Sequence, residues 1–157
     1  DLSVYTNPWT LPLDAKEHLL EELHDSHFPV RTGNHIEERP GCVNFSIVGR
    51  GANQTERLVY SDWDSIKEER RGIAERFNKK FPDLHAFVGG VTGVDISSKG
   101  SDKSQIIRDF PDGDVVFFGD RLDPHGNDRP LADAITDNKL GMVVEVLGWK
   151  DTWNKLT

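Results

Sequence analysis

Two apolar runs in the second half of the chain constrain its fold more than any other feature. They are DVVFFGD at 114–120 and LGMVVEVL at 140–147, and helix-type segments lie before, between and after them. Neither run alternates between apolar and polar residues, which is typical of parallel strands that are buried on both faces. The alternating order of helices and apolar strands therefore predicts an α/β fold with a parallel sheet for this half.

This predicted sheet is incomplete. Residues 99–157 provide only two strands, whose apolar faces and unpaired edges would stay exposed. A unit of about 60 residues is also marginal as an independent core. We therefore expect another segment, a second chain or a second copy of this chain to complete the sheet.

The first half of the chain has a different pattern, with strands in adjacent pairs. After an irregular N-terminal segment at 1–12, residues 13–98 indicate helix, two strands, helix and two strands. The predicted elements are a helix over 15–27 capped by Asp14, a hairpin within 34–48, one amphipathic helix over 61–81 and a strand pair within 84–97. This order predicts an α+β layer, in which helices back an antiparallel sheet.

Charge and cysteine content exclude several classes of function. The chain has 19 Lys and Arg against 27 Asp and Glu, a formal net charge of -8, which argues against nucleic acid and anionic membranes as partners. Its apolar runs are too short to span a bilayer. Cys42 is the only cysteine, so no intrachain disulfide can form, which suits the reducing cytoplasm. Because the chain lacks an initial Met, we expect a piece of a longer protein.

An acidic loop follows the first apolar run. Asp120 comes directly after the predicted strand and Asp128 begins the next helix, while Gly119 and Gly126 allow the loop between them to turn tightly. Ligands bind at the carboxyl ends of parallel strands, and carboxylates are ligands that Mg²⁺ prefers. This position favours a functional role for Asp120. For Asp128, a metal role and side-chain capping of the helix at 129–135 are equally good predictions.

Three arginines lie close together in a chain that is acidic overall. Arg39, Arg50 and Arg57 fall on the predicted hairpin and the segment after it. Guanidinium groups bind phosphate bidentately and stay charged at neutral pH. The alternative is salt bridging with neighbouring glutamates such as Glu37. We favour phosphate binding for Arg50, which lies between two glycines, and salt bridging for Arg39.

Several segments resemble one known superfamily in a single collinear order over residues 15–135. FFGD and GND at 117–128 resemble the fourth motif of the haloacid dehalogenase superfamily, and GSDKSQIIRDF at 100–110 resembles its third. RPGCVNFSIVGRGANQTER at 39–57 and VGGVTGVDISSKGSDK at 88–103 are similar to the cap of eukaryotic-type phosphomannomutases. Several motifs that agree in register are more specific than any one of them.

The resemblance implies a fold and an activity. The fold would be a Rossmann-like core with an inserted α+β cap at 13–98, and residues 99–157 would form only the C-terminal half of that core. The activity would be Mg²⁺-dependent phosphoryl transfer through an aspartyl-phosphate, between the 6- and 1-positions of a hexose phosphate. A homodimer through the cap is an expected partner arrangement.

The resemblance also implies roles for individual residues. Lys103 would stabilise the nucleophile carboxylate and the transferring phosphoryl group by its charge. Asp120 would hold Mg²⁺, in a metal loop that Asn127 and Asp128 shape and to which they can add ligands. The substrate residues would be Arg39, Arg50 and Arg57 for the distal phosphate and Asp95 for the hexose hydroxyls.

The chain departs from the family pattern at important positions. It has no Asp-x-Asp-Gly nucleophile motif, and SDWD at 61–64 has no apolar strand before it. We therefore expect a missing N-terminal segment to supply the nucleophile. Gly93 replaces an expected Ser, which favours a sugar-phosphate phosphatase as one alternative. The absent nucleophile favours a catalytically inactive binding or assembly protein as another.

Overall fold

The computed structural model describes residues 7–110 and 113–157, and the chain divides into two compact units, residues 1–99 and 100–157. Residues 1–6 of the predicted N-terminal segment lie outside the described residues, and 7–12 are irregular. Unit 1 contains α1 (Leu13–Asp25), β1 (Ile36–Arg39), β2 (Cys42–Ser46), α2 (Gln54–Lys67), α3 (Glu69–Lys80), β3 (Leu84–Gly89) and β4 (Gly93–Ser98). Unit 2 contains a 3₁₀ helix (Lys103–Asp109), β5 (Val115–Gly119), α4 (Arg129–Asp137), β6 (Gly141–Glu145) and α5 (Trp149–Leu156).

The sheet of unit 1 is antiparallel, with strand order β1-β2-β4-β3, which confirms both predicted strand pairs. Strands alternate their side chains between two faces, and one face is apolar. Its residues include Val43, Phe45, Val94 and Ile96, which are at most 1% exposed and share a core with residues of α1 and α3. The opposite face carries polar residues and forms the floor of the cavity described below.

The helices of unit 1 differ from the prediction at their boundaries. The predicted single helix over 61–81 is two helices, because Glu68 between α2 and α3 adopts a left-handed conformation with φ 52°. A capping box of Asn53 and Glu56 starts α2 well before Ser61. The prediction that Asp14 caps the first helix is also wrong, since α1 begins after Pro12 without a side-chain cap.

The break at Glu68 is stabilised by a buried ion pair. Asp64 accepts hydrogen bonds from the backbone N–H of Arg70 (2.9 Å) and from its Nε (2.7 Å), and both side chains are less than a tenth exposed. Arg70 also donates to the carbonyl of Gly90 (3.1 Å), in the turn between β3 and β4. Asp64 therefore serves the packing of unit 1, and SDWD is helical, as its lack of a preceding strand indicated.

Two further side chains tie α3 to its neighbours. Arg76 donates two hydrogen bonds to the carboxylate of Glu22 on α1, at 2.7 and 2.6 Å. Asn78 both donates to and accepts from the backbone of Ala86 on the edge strand β3 (3.0 and 2.7 Å). These bonds hold the helices on the apolar face and satisfy part of an exposed sheet edge.

Unit 2 contains a parallel β5–β6 pair, as predicted, with α4 packed against it through Leu131, Ala132 and Ile135. The sheet is not buried on both faces in the described residues, as expected for an incomplete sheet, since Val116 is 56% and Met142 61% exposed. With only two strands, one helix layer covers one face and leaves these side chains on the other. The two strands therefore carry more apolar side chains than unit 2 buries by itself.

Among the described residues, the helices are either too short or too polar to cross a membrane.

The buried ion pair gives a stability prediction. Asp64→Ala should lower the free energy of unfolding by about 3 kcal/mol, since it leaves the guanidinium of Arg70 buried without its counter-ion. Urea denaturation measures the change. The matched control is Glu75→Ala, which removes one of the exposed ion-pair partners of Arg71 and should have little effect. Equal losses from both variants would contradict this account of the α2–α3 junction.

Candidate functional site

The polar face of the unit 1 sheet forms the floor of a cavity of about 380 Å³. Strands β2 and β4 contribute its floor, and the start of α2 and the β3–β4 turn contribute its walls. The lining residues are Arg39, Asn44, Arg50, Gln54, Arg57, Leu58, Gly89, Gly90, Val91, Thr92, Gly93 and Asp95. All four predicted substrate residues therefore lie at one cavity.

Glu37 joins two of the arginines. Its Oε2 accepts a hydrogen bond from Arg39 Nη2 at 2.8 Å and forms an ion pair with Arg50, whose Nε lies 2.6 Å away. The hydrogen bond from Arg39 lowers the pKa of the Glu37 carboxyl, burial opposes this, and the charges of Arg39 and Arg50 add to the lowering. The carboxylate thus stays ionised at neutral pH and holds two guanidinium groups together that would otherwise repel each other. The salt-bridge alternative is confirmed for Arg39 and applies to Arg50 as well.

The third arginine stabilises the loop that carries the second. Arg57 Nε donates to the carbonyl of Ala52 (2.9 Å), and its Nη2 donates to the carbonyl of Arg50 (3.3 Å). The loop needs glycine at 49, where φ is +85° and a Cβ would lie 1.8 Å from the carbonyl oxygen of Thr32. Backbone contacts therefore place Arg50 at the cavity before any ligand arrives.

Asp95 lies across the sheet from this arginine cluster. The strand register sets Glu37 opposite Asn44 and Asn44 opposite Asp95, so the three side chains form one row across β1, β2 and β4. Asn44 Nδ2 donates to Asp95 Oδ1 at 2.7 Å. Since neighbouring strands are about 4.8 Å apart, the two carboxylates of the row start from backbones roughly 10 Å apart.

This arrangement has two chemically distinct ends. At one end, Arg39, Arg50 and Arg57 provide guanidinium donors, of which only some are used by Glu37 and by loop carbonyls. At the other end, Asp95 offers a carboxylate that accepts hydrogen bonds from hydroxyl groups. A ligand with an anionic group and several hydroxyls, separated by a few bonds, matches this pattern.

The acidic loop of unit 2 is organised around Asp128. The Oδ1 of Asp128 accepts from Lys103 Nζ at 2.5 Å, and its Oδ2 accepts from the backbone N–H of Asp120 and Arg121 at 3.0 and 3.1 Å. Burial would raise the pKa of the Asp128 carboxyl, but the hydrogen bond and charge of Lys103 and the two backbone donors hold it below its ordinary value. Side-chain capping of α4 by Asp128 is wrong, because this carboxylate bonds the preceding loop instead.

The loop leaves the carboxylate of Asp120 exposed at the carboxyl end of β5. Gly126 makes the tight turn possible, because a Cβ there would lie 2.1 Å from the carbonyl oxygen of Arg121. Asn127 lies half-buried beside Asp128 in the same loop. Asp120, Lys103 and Asp128 are thus brought into one neighbourhood, and Lys103 is placed there by its contact with Asp128.

The donor set of the loop decides whether it can hold Mg²⁺. Among residues 7–110 and 113–157, no three His, Cys, Asp or Glu side chains lie close enough to hold a metal ion. Mg²⁺ needs only one or two protein carboxylates, because water and phosphate oxygens complete its coordination. The loop therefore fits an ion held mainly by Asp120. Metal ligation by Asn127 and Asp128 stays a prediction, since both oxygens of Asp128 already accept hydrogen bonds.

The sequence indicated Glu37 only as one possible salt-bridge partner of the arginines, and it indicated no role for Asn44. Both lie on the polar side of strands whose alternation is visible in the sequence. Counting residues from the Pro40-Gly41 turn places Glu37 opposite Asn44, so the hairpin pattern contained this signal. The pairing of Asn44 with Asp95 depends on strands distant in the chain and had no such signal.

Comparison with known families and proteins gives consistent matches. The family model described as eukaryotic phosphomannomutase matches residues 14–157. The chain is 34% identical to a probable phosphomannomutase of Caenorhabditis elegans over 116 residues. This aligned region is 71% of this chain and 46% of that protein. The chain is 32% identical over 120 residues to a phosphomannomutase of Arabidopsis thaliana, covering 73% and 48%. The chain thus spans about half the length of the curated relatives it matches.

Solved structures show the fold. The N-terminally truncated Plasmodium falciparum IMP-nucleotidase aligns with a TM-score of 0.58 and 13% identity, over 92% of this chain and 37% of that chain. An IMP-bound mutant of the same enzyme aligns with a TM-score of 0.53. This likeness and the two sheets confirm the predicted fold class, half of an α/β core together with an α+β cap of antiparallel sheet and helices, and carry no statement about substrate.

The contacts of Asp128 predict how unit 2 responds to acid. A carboxyl whose pKa is lower in the folded than in the unfolded chain contributes stability above its ordinary pKa of 3.8 and loses it as pH falls through the lowered value. Thermal unfolding followed from about pH 6 to about pH 2 should therefore show a smaller acid loss in Asp128→Asn than in the wild type. Asp133→Asn, at an exposed ion pair on α4, is the control. An identical acid profile in Asp128→Asn and wild type would contradict the prediction.

Proposed function

Because the chain belongs to the eukaryotic phosphomannomutase family, we propose that it serves a phosphomannomutase-like transfer of a phosphoryl group between the 6- and 1-positions of a hexose. The single observation that carries the proposal is the cavity of unit 1, where three arginines and Asp95 line the same 380 Å³. Unit 1 binds the sugar phosphate, and unit 2 contributes charged groups to the transfer step.

In unit 1, the arginine cluster binds the phosphate that is not transferred. Glu37 occupies one nitrogen of Arg39 and one of Arg50, while each guanidinium carries five N–H donors. Donors therefore remain for two phosphate oxygens, and the fork geometry favours bidentate contacts. Asp95 then accepts hydrogen bonds from hydroxyls at the far side of the sugar.

In unit 2, Asp120 and Lys103 act on the phosphoryl group that moves. Mg²⁺ held by Asp120 would neutralise charge on the phosphate oxygens. Lys103 adds a positive charge, which Asp128 orients by accepting a hydrogen bond from Nζ. A positive charge fixed before the reaction stabilises negative charge that develops during phosphoryl transfer.

The nucleophile carboxylate comes from outside these 157 residues, because the sequence contains no Asp-x-Asp-Gly and its SDWD stretch lies in α2. In the sheet of unit 2, β5 pairs with β6 along one edge. A further parallel strand along the other edge of β5 would end beside Asp120, and a helix packed on the open face of the sheet would cover the exposed apolar side chains. This placement supports an added strand as the source of the nucleophile.

A second candidate function is hydrolysis of a sugar phosphate. Gly93 supports it, since a glycine in the cavity floor provides no hydroxyl to fix the sugar in two orientations. A mutase must bind its hexose in both orientations to move the phosphate from one end to the other. The two candidates differ in whether the phosphate leaves as inorganic phosphate or returns to the sugar.

Binding of mannose 6-phosphate tests the role of unit 1. Arg50→Gln should weaken binding about tenfold or more, since it removes a charge-assisted contact to phosphate. Isothermal titration calorimetry measures the dissociation constant. Arg71→Gln, an exposed arginine of α3 outside the cavity, is the matched control and should bind as the wild type does. Equal affinities for all three proteins would remove the cavity as the phosphate site.

Turnover tests the whole proposal. The chain is combined with the part of the Caenorhabditis elegans relative that lies outside the matched region, and mannose 1-phosphate is followed by ³¹P NMR. Appearance of mannose 6-phosphate, abolished by Asp120→Asn, is the expected result. Release of inorganic phosphate alone would select hydrolysis, and no turnover by a folded complex would contradict both candidates.

A further inference from the structure

The contact between Asn44 and Asp95 has a role of its own in the cavity. Asn44 is only 6% exposed, yet it lies in the cavity floor and its Nδ2 donates to Asp95 Oδ1. We infer that Asn44 is a positioning residue that orients the Asp95 carboxylate toward the hydroxyl groups of a sugar phosphate. This inference rests on the proposed function of the cavity. It adds an explanation of how the cavity distinguishes a sugar phosphate from inorganic phosphate.

The hydrogen bonding of Asn44 is unfavourable for stability alone. Its Oδ1 is buried and has no hydrogen-bond partner among the described residues, while its Nδ2 has Asp95. A buried amide oxygen without a donor destabilises the folded state, so an apolar residue of similar shape would suit the fold at least as well. The amide at this position is therefore explained by its action on Asp95 and not by packing.

Gly93 provides the space that this amide needs. A Cβ at 93 would lie 2.4 Å from Asn44 Nδ2, well inside contact distance. Gly93 and Asp95 lie on the same face of β4, opposite Ser46 and Asn44 of β2. The side chain of Asn44 thus leans over Gly93 to reach Asp95, and any larger residue at 93 would displace it.

The position of Asn44 in the row of three side chains predicts which ligands its contact with Asp95 affects. Asn44 lies between Glu37, which holds Arg39 and Arg50, and Asp95, which lies at the hydroxyl end. Loss of the amide removes one hydrogen-bond donor from the Asp95 carboxylate but leaves the contacts of Glu37 with the two arginines in place. Asn44 should therefore matter for ligands that carry hydroxyls and not for inorganic phosphate.

The test compares two probes on the full chain, mannose 6-phosphate and inorganic phosphate. Asn44→Leu keeps the approximate shape and removes the donor. It should weaken mannose 6-phosphate binding about tenfold, the effect of one hydrogen bond to a charged group, with phosphate binding changed less than about twofold. The melting temperature should not fall. Ser46→Ala, two positions along the same face of β2, is the control and should leave both affinities unchanged.

The outcomes separate the inference from the function on which it rests. Wild-type binding of neither probe would overturn the proposed function and this inference with it. If the wild type binds and Asn44→Leu binds mannose 6-phosphate equally well, the inference alone fails. It also fails if Asn44→Leu weakens both probes equally and lowers the melting temperature, because that pattern is a structural defect.

A double-mutant cycle tests the contact without any ligand. Gly93→Ala should lower the melting temperature by several degrees, since its Cβ would meet Asn44 Nδ2. The same substitution in an Asn44→Ala background should have little effect, because the amide that it meets is gone. Equal effects in both backgrounds would show that Gly93 does not accommodate Asn44 and would overturn this part of the inference.

Discussion

The candidate site of unit 1 depends on the register of one antiparallel sheet. Pairing of β1 with β2 and of β2 with β4 places Glu37, Asn44 and Asp95 in a single row on the polar face. A slip of one residue in either pair would turn the polar side chains toward the helices and the apolar ones toward the cavity. Burial of Val43, Phe45, Val94 and Ile96 against the core opposes such a slip. The hydrophobic core therefore also determines the arrangement of the polar site.

Charge is the second constraint on this cavity. Arg39 and Arg50 repel each other, and Glu37 offsets that repulsion by accepting a contact from both. The two guanidinium groups are 41% and 35% exposed, so water weakens the pair energy but still leaves the geometry set before a ligand binds. Arg57 holds the same loop through two carbonyls. The donors are therefore grouped in the absence of a ligand, which would reduce the ordering needed if an anion binds there.

Unit 2 uses a buried carboxylate in a comparable way. Asp128 accepts from Lys103 and from the backbone of the loop, and Asp120 stays exposed at the end of β5. Asp128 therefore serves the structure of the loop and Asp120 does not, although the sequence predicted both as metal ligands. The two-stranded sheet that carries this loop exposes Val116 and Met142, which limits how rigidly the unit can hold it by itself.

The sequence by itself determined the element types, the two strand pairs, the parallel β5–β6 pair and the cluster of arginines, because each depends on local periodicity or on neighbours in the chain. It also determined the family resemblance, through collinear motifs. It did not determine the break at Glu68, where a contact between Asp64 and Arg70 favours a left-handed residue in a strongly helical stretch. Nor did it distinguish Asp128 from Asp120, or pair Asn44 with Asp95. Asn44 and Asp95 are 51 positions apart and Lys103 and Asp128 are 25 apart, so only the tertiary structure brings the members of each pair together. Asp64 and Arg70 are close in the chain, but helical periodicity does not reveal which side chains pair at a break.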